Sequence, residues 1–171
     1  MFYVFVGLVL GAPTLADTPE VDQENGDISY SLVIKGTPET IYERTANLQT
    51  IERIFPPECV TNWAHGAATV GPNARSRLTY TVGGMVRRLT VVLDRFDPPN
   101  SFDMDHPSEK KGFVTRWQFL PVNSEETEVT ITTYLSPPPW PFTRHFHRQV
   151  KPKWEACYER TLYRLQRVIN P

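Results

Sequence analysis

Residues 75–96 read RSRLTYTVGGMVRRLTVVLDRF, two runs with apolar residues at every second position, joined by Gly83-Gly84. Leu78, Tyr80 and Val82 in the first run, and Leu89, Val91 and Leu93 in the second, fall on one side of an extended chain. Arg77, Thr79, Thr81, Arg88, Thr90 and Asp94 fall on the other. Period two predicts strands with one wet face and one buried face, and a two-glycine break between such runs predicts a hairpin.

Working outward, the same alternation recurs at Val60 to His65, Phe102 to His106, Phe113 to Leu120 and Thr127 to Leu135. The breaks between these runs are rich in Gly, Pro, Asn and Asp and too short for helical crossovers, so neighbours should pair antiparallel as a meander. Phe102 and Met104, Trp117 and Phe119, and Val129 and Ile131 extend the apolar face, whereas Asp103 and Asp105 share the outer one and read as a solvated edge. A further strand, Ile28 to Lys35, opens the regular part of the chain. Thr37 and Pro38 then start a helix whose face includes Ile41, Thr45 and Leu48, and a second short helix from about Thr50 to Phe55 is stopped by Pro56-Pro57. After Pro141, residues Val150, Trp154, Cys157, Tyr158, Thr161, Leu162 and Leu165 recur at spacings of three and four. This amphipathic helix, begun or kinked near Pro152, is the one segment long enough to cover the sheet.

Composition bounds the function. The chain has 171 residues, 40% of them hydrophobic, enough for one domain with a sizeable core. A formal charge of -1 gives no footing for a nucleic-acid partner. There is no phosphate-binding glycine loop, nucleophile elbow or zincin motif. His145 and His147 flank Phe146 without a Cys or carboxylate at ligand spacing, so neither a metal nor a cofactor is expected. Cys59 and Cys157 suit a pair if the protein is exported, but their separation in sequence says nothing about their distance in space.

The order strand, two short helices, six-strand meander, long C-terminal helix resembles the helix-grip fold of the START-like superfamily, of the polyketide cyclase and lipid-transfer type. The resemblance covers Asp27 to Ile169 and rests on four stretches: the strand from Ile28, the Gly36-Thr37-Pro38 helix entry, the Phe96-Asp97-Pro98-Pro99 corner and the strand around Trp117. It implies an α+β domain in which a curved antiparallel sheet of about seven strands wraps the C-terminal helix around an apolar cavity for a hydrophobic small molecule such as a lipid, polyketide or quinone. These motifs are architectural rather than catalytic.

The expected lining is Trp63, Tyr80, Leu89, Val91, Met104, Trp117, Phe119, Ile131, Trp154 and Tyr158, aromatic or apolar residues in phase with the buried face. Each taken alone is more often plain core. No catalytic residue is assigned; His106 and Arg87 are the weak candidates, being polar yet in phase with Met104 and Leu89. Their bland reading is that both lie at strand ends and reach solvent. Three functions stay open: a carrier or binding module, a cyclase or aromatase using His106 or Arg87 for proton transfer, and a membrane- or protein-interaction module working through Trp140 among its prolines. A surplus of Lys and Arg on the last helix reads as a solvated face. The oligomeric state is left open.

Residues 1–16 carry the apolar run Phe2 to Leu10, a Gly11-Ala12-Pro13 break and small residues before Asp17, the pattern of a secretory signal. No Lys or Arg precedes Lys35, so the basic start of such signals is missing, and an apolar arm packed on the domain competes with this reading. Residues 17–26 are an acidic linker, and 27–171 form the domain. With a cleaved signal the protein is secreted or periplasmic; otherwise it is cytoplasmic.

Overall fold

The computed structural model describes residues 28–107, 113–134 and 145–171. The expected signal (1–16), the expected acidic linker (17–26) and the proline-rich stretch around Trp140 lie outside the described residues.

Seven strands form one antiparallel sheet: β1 (Ile28–Lys35), β2 (Val60–His65), β3 (Arg75–Val82), β4 (Met85–Asp97), β5 (Ser101–Asp105), β6 (Val114–Pro121) and β7 (Glu126–Tyr134). Their spatial order is β1-β7-β6-β5-β4-β3-β2, so the expected meander is intact and the opening strand closes its far edge by pairing with the last. Between β1 and β2 lie helices α1 (Pro38–Thr45) and α2 (Leu48–Ile54), and the chain ends in α3 (Lys151–Ile169), led in by a π turn at Phe146–Val150. This is the helix-grip α+β architecture. Helix α2 begins two residues earlier than its sequence pattern suggests, because the Asn47 side chain accepts from the Gln49 N–H at 2.9 Å and caps it there. Leu48 accordingly belongs to α2 rather than to the face of α1.

Two non-glycine residues with positive φ bend the sheet: Asn62 (55°) in β2 and Arg95 (46°) in β4. Both coincide with register shifts, and bulges of this kind curl a strand. The Gly83-Gly84 turn closes β3 onto β4 with both residues at positive φ. A Cβ on Gly83 would sit 3.3 Å from the Val150 backbone, so a residue without a side chain lets the hairpin tip meet the start of the helical segment.

On the helix side of the sheet the apolar alternation becomes one core, and Ile28, Val91, Leu93, Phe102, Met104, Trp117, Phe119, Val129 and Ile131 have no exposed surface. Helix α3 buries Trp154, Cys157, Tyr158, Thr161, Leu162 and Leu165 against it. The cysteines form a Cys59–Cys157 disulfide joining the residue before β2 to the middle of α3. Arg160 pairs with Glu58 at 2.9 Å and Arg164 donates to the Phe55 carbonyl at 3.1 Å, so two cations of the last helix fasten it to the α2–β2 corner instead of facing bulk water alone. At the other end, Arg44 donates to the Val168 carbonyl at 3.1 Å, where a cation also meets the negative end of the helix.

The outer face departs from expectation most sharply at Asp103. Asp103 is buried, not a solvated edge, because Arg116 stands directly opposite it in the β5–β6 register and chelates it at 2.8 and 3.0 Å. Arg95 adds a longer contact at 3.6 Å. The two-point geometry favours Arg at this position.

Candidate functional site

The residues expected to line a cavity separate into two groups. Val91, Met104, Trp117, Phe119 and Ile131 are completely enclosed among side chains of the core. Phe102 stacks on Trp117 with centroids 5.9 Å apart, Tyr42 meets Phe102 and Phe119 edge-on, and the Trp117 indole N–H points at the Met104 sulfur at 3.3 Å. Dense packing and satisfied polar atoms mark this half as structural.

The second group lies between β3, the ends of β5 and β6, and the first turns of α3. Tyr80, Trp154 and Tyr158 belong to it, with Leu89 buried nearby in the β3–β4 register. The Tyr80 ring lies 4.9 Å from Trp154, 5.9 Å from His106 and 6.0 Å from Phe113, centroid to centroid. Phe113, which sequence reasoning did not single out, covers the imidazole at 4.1 Å and is only partly buried. Trp63 is also partly buried and packs further along, against Phe55 and His65.

His106 does not reach solvent, contrary to its bland reading: it is 1% exposed, placed at the end of β5 with its ring in the apolar phase. Both its nitrogens, and the Trp154 indole nitrogen, are buried without a hydrogen-bond partner. These are the only such side-chain atoms among the described residues. Burial holds the imidazole neutral, its pKa lowered to about 3; the Thr90 backbone pulls the other way, although neither nitrogen makes a hydrogen bond of regular geometry. Arg87 is exposed at the rim, opposite Tyr80 in the β3–β4 register.

The buried hydroxyls of Thr115, Thr133 and Tyr158, by contrast, are all satisfied. Thr115 and Thr133 share a hydroxyl hydrogen bond at 2.7 Å, and Thr133 in turn bonds the Tyr158 hydroxyl. Burial pushes the Tyr80 and Tyr158 phenols upward, so both are neutral at physiological pH. A native interior ordinarily pairs its polar atoms, as this hydroxyl chain does, which makes the three open nitrogens next to it informative.

Glu52, His65 and Ser76 form a carboxylate–imidazole–hydroxyl chain, 2.7 Å from Glu52 to Nε2 and 2.5 Å from Nδ1 to Ser76. The order is that of a nucleophilic triad, but Ser76 is enclosed in the core, so the chain ties α2 to β2 and β3 and offers no substrate a nucleophile. On the opposite face of the sheet, Asn62, Arg77, Thr79, Arg88 and Thr90 surround an open depression of about 540 Å³. Its polar rim suits water better than an apolar ligand. Among the described residues no group of three His, Cys, Asp or Glu could hold a metal ion.

The comparisons with known proteins fit this geometry. The family model described as polyketide cyclase / dehydrase and lipid transport matches residues 26–170. The chain belongs to that family. Membership implies binding of a hydrophobic small molecule, without naming it. Among solved structures, the chain is similar to the KanY protein (11% identity, 86% of this chain and 99% of that one, TM-score 0.69). It is also similar to TTHA0849 from Thermus thermophilus (19% identity, 84% and 97%, TM-score 0.67). A major latex-like protein from Panax ginseng shares the fold at 11% identity, with 85% and 98% covered and a TM-score of 0.59. At these identities the likeness is one of fold. No curated protein matches the sequence.

Proposed function

We propose that this member of the polyketide cyclase/dehydrase and lipid-transport family binds and carries a hydrophobic small molecule held between the sheet and α3, against Tyr80, His106 and Trp154. The observation that carries the reading is the set of three buried, unpartnered nitrogens in an aromatic surround. Leaving each such atom unpaired costs about 1–3 kcal/mol, a cost a ligand would remove on binding. Phe113 is the side chain that gives way, because it caps the imidazole while keeping part of its own surface in solvent.

Binding is favoured over turnover. A base for proton abstraction works best with a pKa near the operating pH, and an imidazole lowered to about 3 is far too weak a base at neutrality. The other candidate, Arg87, stands at the exposed rim.

The Cys59–Cys157 disulfide supports an oxidising compartment and hence export with cleavage after Ala16. One experiment tests both proposals. Native mass spectrometry of protein purified gently from its own cells should give a chain starting at Asp17 that carries an additional small-molecule mass. A full-length chain argues against export, and a ligand-free chain that also takes up no added apolar ligand contradicts the carrier reading.

A further inference from the structure

We propose that the site selects a neutral ligand whose polar group both donates and accepts a hydrogen bond, such as a primary amide or a hydroxyl beside a carbonyl, over an ionised carboxylate or phosphate, with Trp154 and His106 setting that preference. This inference rests on the binding reading above and narrows it to a ligand chemistry.

The open atoms dictate the complement. The Trp154 indole nitrogen is a donor only. A neutral imidazole carries one N–H and one lone pair, so whichever nitrogen holds the proton, and even if the Thr90 backbone engages that proton, one acceptor remains open. Both rings touch Tyr80 and Phe113, which places them in one aromatic enclosure. A ligand filling it therefore needs an acceptor for the indole and a donor for the imidazole.

Charge removes the main alternative. Among the described residues the buried polar ones are Thr45, Ser76, Thr79, Asp103, His106, Thr115, Thr127, Thr132, Thr133 and Thr161, a set without Lys or Arg. Asp103 lies on the outer face, already paired with Arg116. Among the described residues, the titratable groups in this enclosure, His106, Tyr80 and Tyr158, are all held neutral by burial. An anion entering would lose its hydration and meet no buried cation among the described residues, a loss that uncharged hydrogen bonds do not restore. Arg87, opposite Tyr80 in the β3–β4 register, is exposed, so a carboxylate that paired with it would do so where water screens the attraction.

The test uses three probes on one ring system: 2-methylanthracene, anthracene-2-carboxamide and anthracene-2-carboxylate, titrated at pH 7 by fluorescence. The expected result is that the carboxamide binds about tenfold tighter than the methyl compound and the carboxylate at least tenfold weaker. Trp154→Phe and His106→Phe, each checked for an intact thermal transition, should abolish the carboxamide's advantage over 2-methylanthracene. If either variant does not fold, the three wild-type affinities decide. Methylanthracene binding with a carboxylate equal to or better than the carboxamide overturns this selectivity while leaving the carrier reading in place. Failure of all three probes overturns both.

Discussion

Replacing Cys59 and Cys157 together with Ala is expected to lower the unfolding free energy by about 4 kcal/mol, read from the urea midpoint at constant slope. The bridge spans 98 residues of sequence and closes a loop that includes β2 through β7 and the start of α3. Cross-linking so long a loop restricts the unfolded chain far more than the folded one, and loops near 100 residues lie at the upper end of that effect. In the folded state the bridge joins the edge of the sheet to the middle of the helix that closes the site, alongside the Arg160–Glu58 pair and the Arg164 bond to Phe55. Reducing agent should therefore destabilise the wild type and leave the double variant unaffected. A double variant within 1 kcal/mol of wild type would show that packing of α3 alone suffices.

His106→Phe should stabilise the protein and flatten its response to acid. At pH 7 the variant removes two unpaired buried nitrogens and is expected to gain about 1–3 kcal/mol. The pH dependence follows from the lowered pKa. Above the ordinary value of 6.5 neither folded nor unfolded chain protonates this imidazole, and it contributes no slope. Between 6.5 and about 3 the unfolded chain takes up a proton that the folded one refuses, so wild-type stability falls by about 1.4 kcal/mol per pH unit, on the order of 4 kcal/mol in all. Carboxylates add their own acid lability equally to both proteins, so the difference between the two curves isolates His106. Parallel curves from pH 7 to pH 3 would mean that the imidazole is hydrated in solution.

Much of the fold was legible because alternation is a local property. Arg75 to Val82 and Met85 to Asp97 show it on their own, and burial of one face follows whatever the partner strand is. What escaped were features set by pairs. Asp103 reads as wet until the register puts Arg116 opposite it. The bulges at Asn62 and Arg95 fall on residues that carry no glycine signal, and Asn47 caps α2 where the periodicity alone places the start later. Cys59 and Cys157 carry no proximity in sequence.

The site was half visible for the same reason. His106 showed as a polar residue in an apolar phase, the signal that mattered, but its position at a strand end, just before Pro107, invited the solvent-exposed reading. Its enclosure comes from Phe113, just before β6, and from Tyr80 of β3, which stand in different parts of the sequence pattern. Nor does spacing distinguish the Trp117 half of the interior, with every polar atom satisfied, from the Trp154 half, where the indole is left open. Only the three-dimensional inventory of partners separates a core from a site.

The most direct measurement is a nuclear magnetic resonance titration of the wild-type protein with anthracene-2-carboxamide, following the indole N–H signals of the tryptophans and the imidazole signals of His106. Saturable shifts at Trp154 and His106, with Trp117 unmoved in its closed core, are the predicted result. Shifts confined to the outer depression around Arg77 and Arg88, or none that saturate, would contradict a ligand site between the sheet and the last helix.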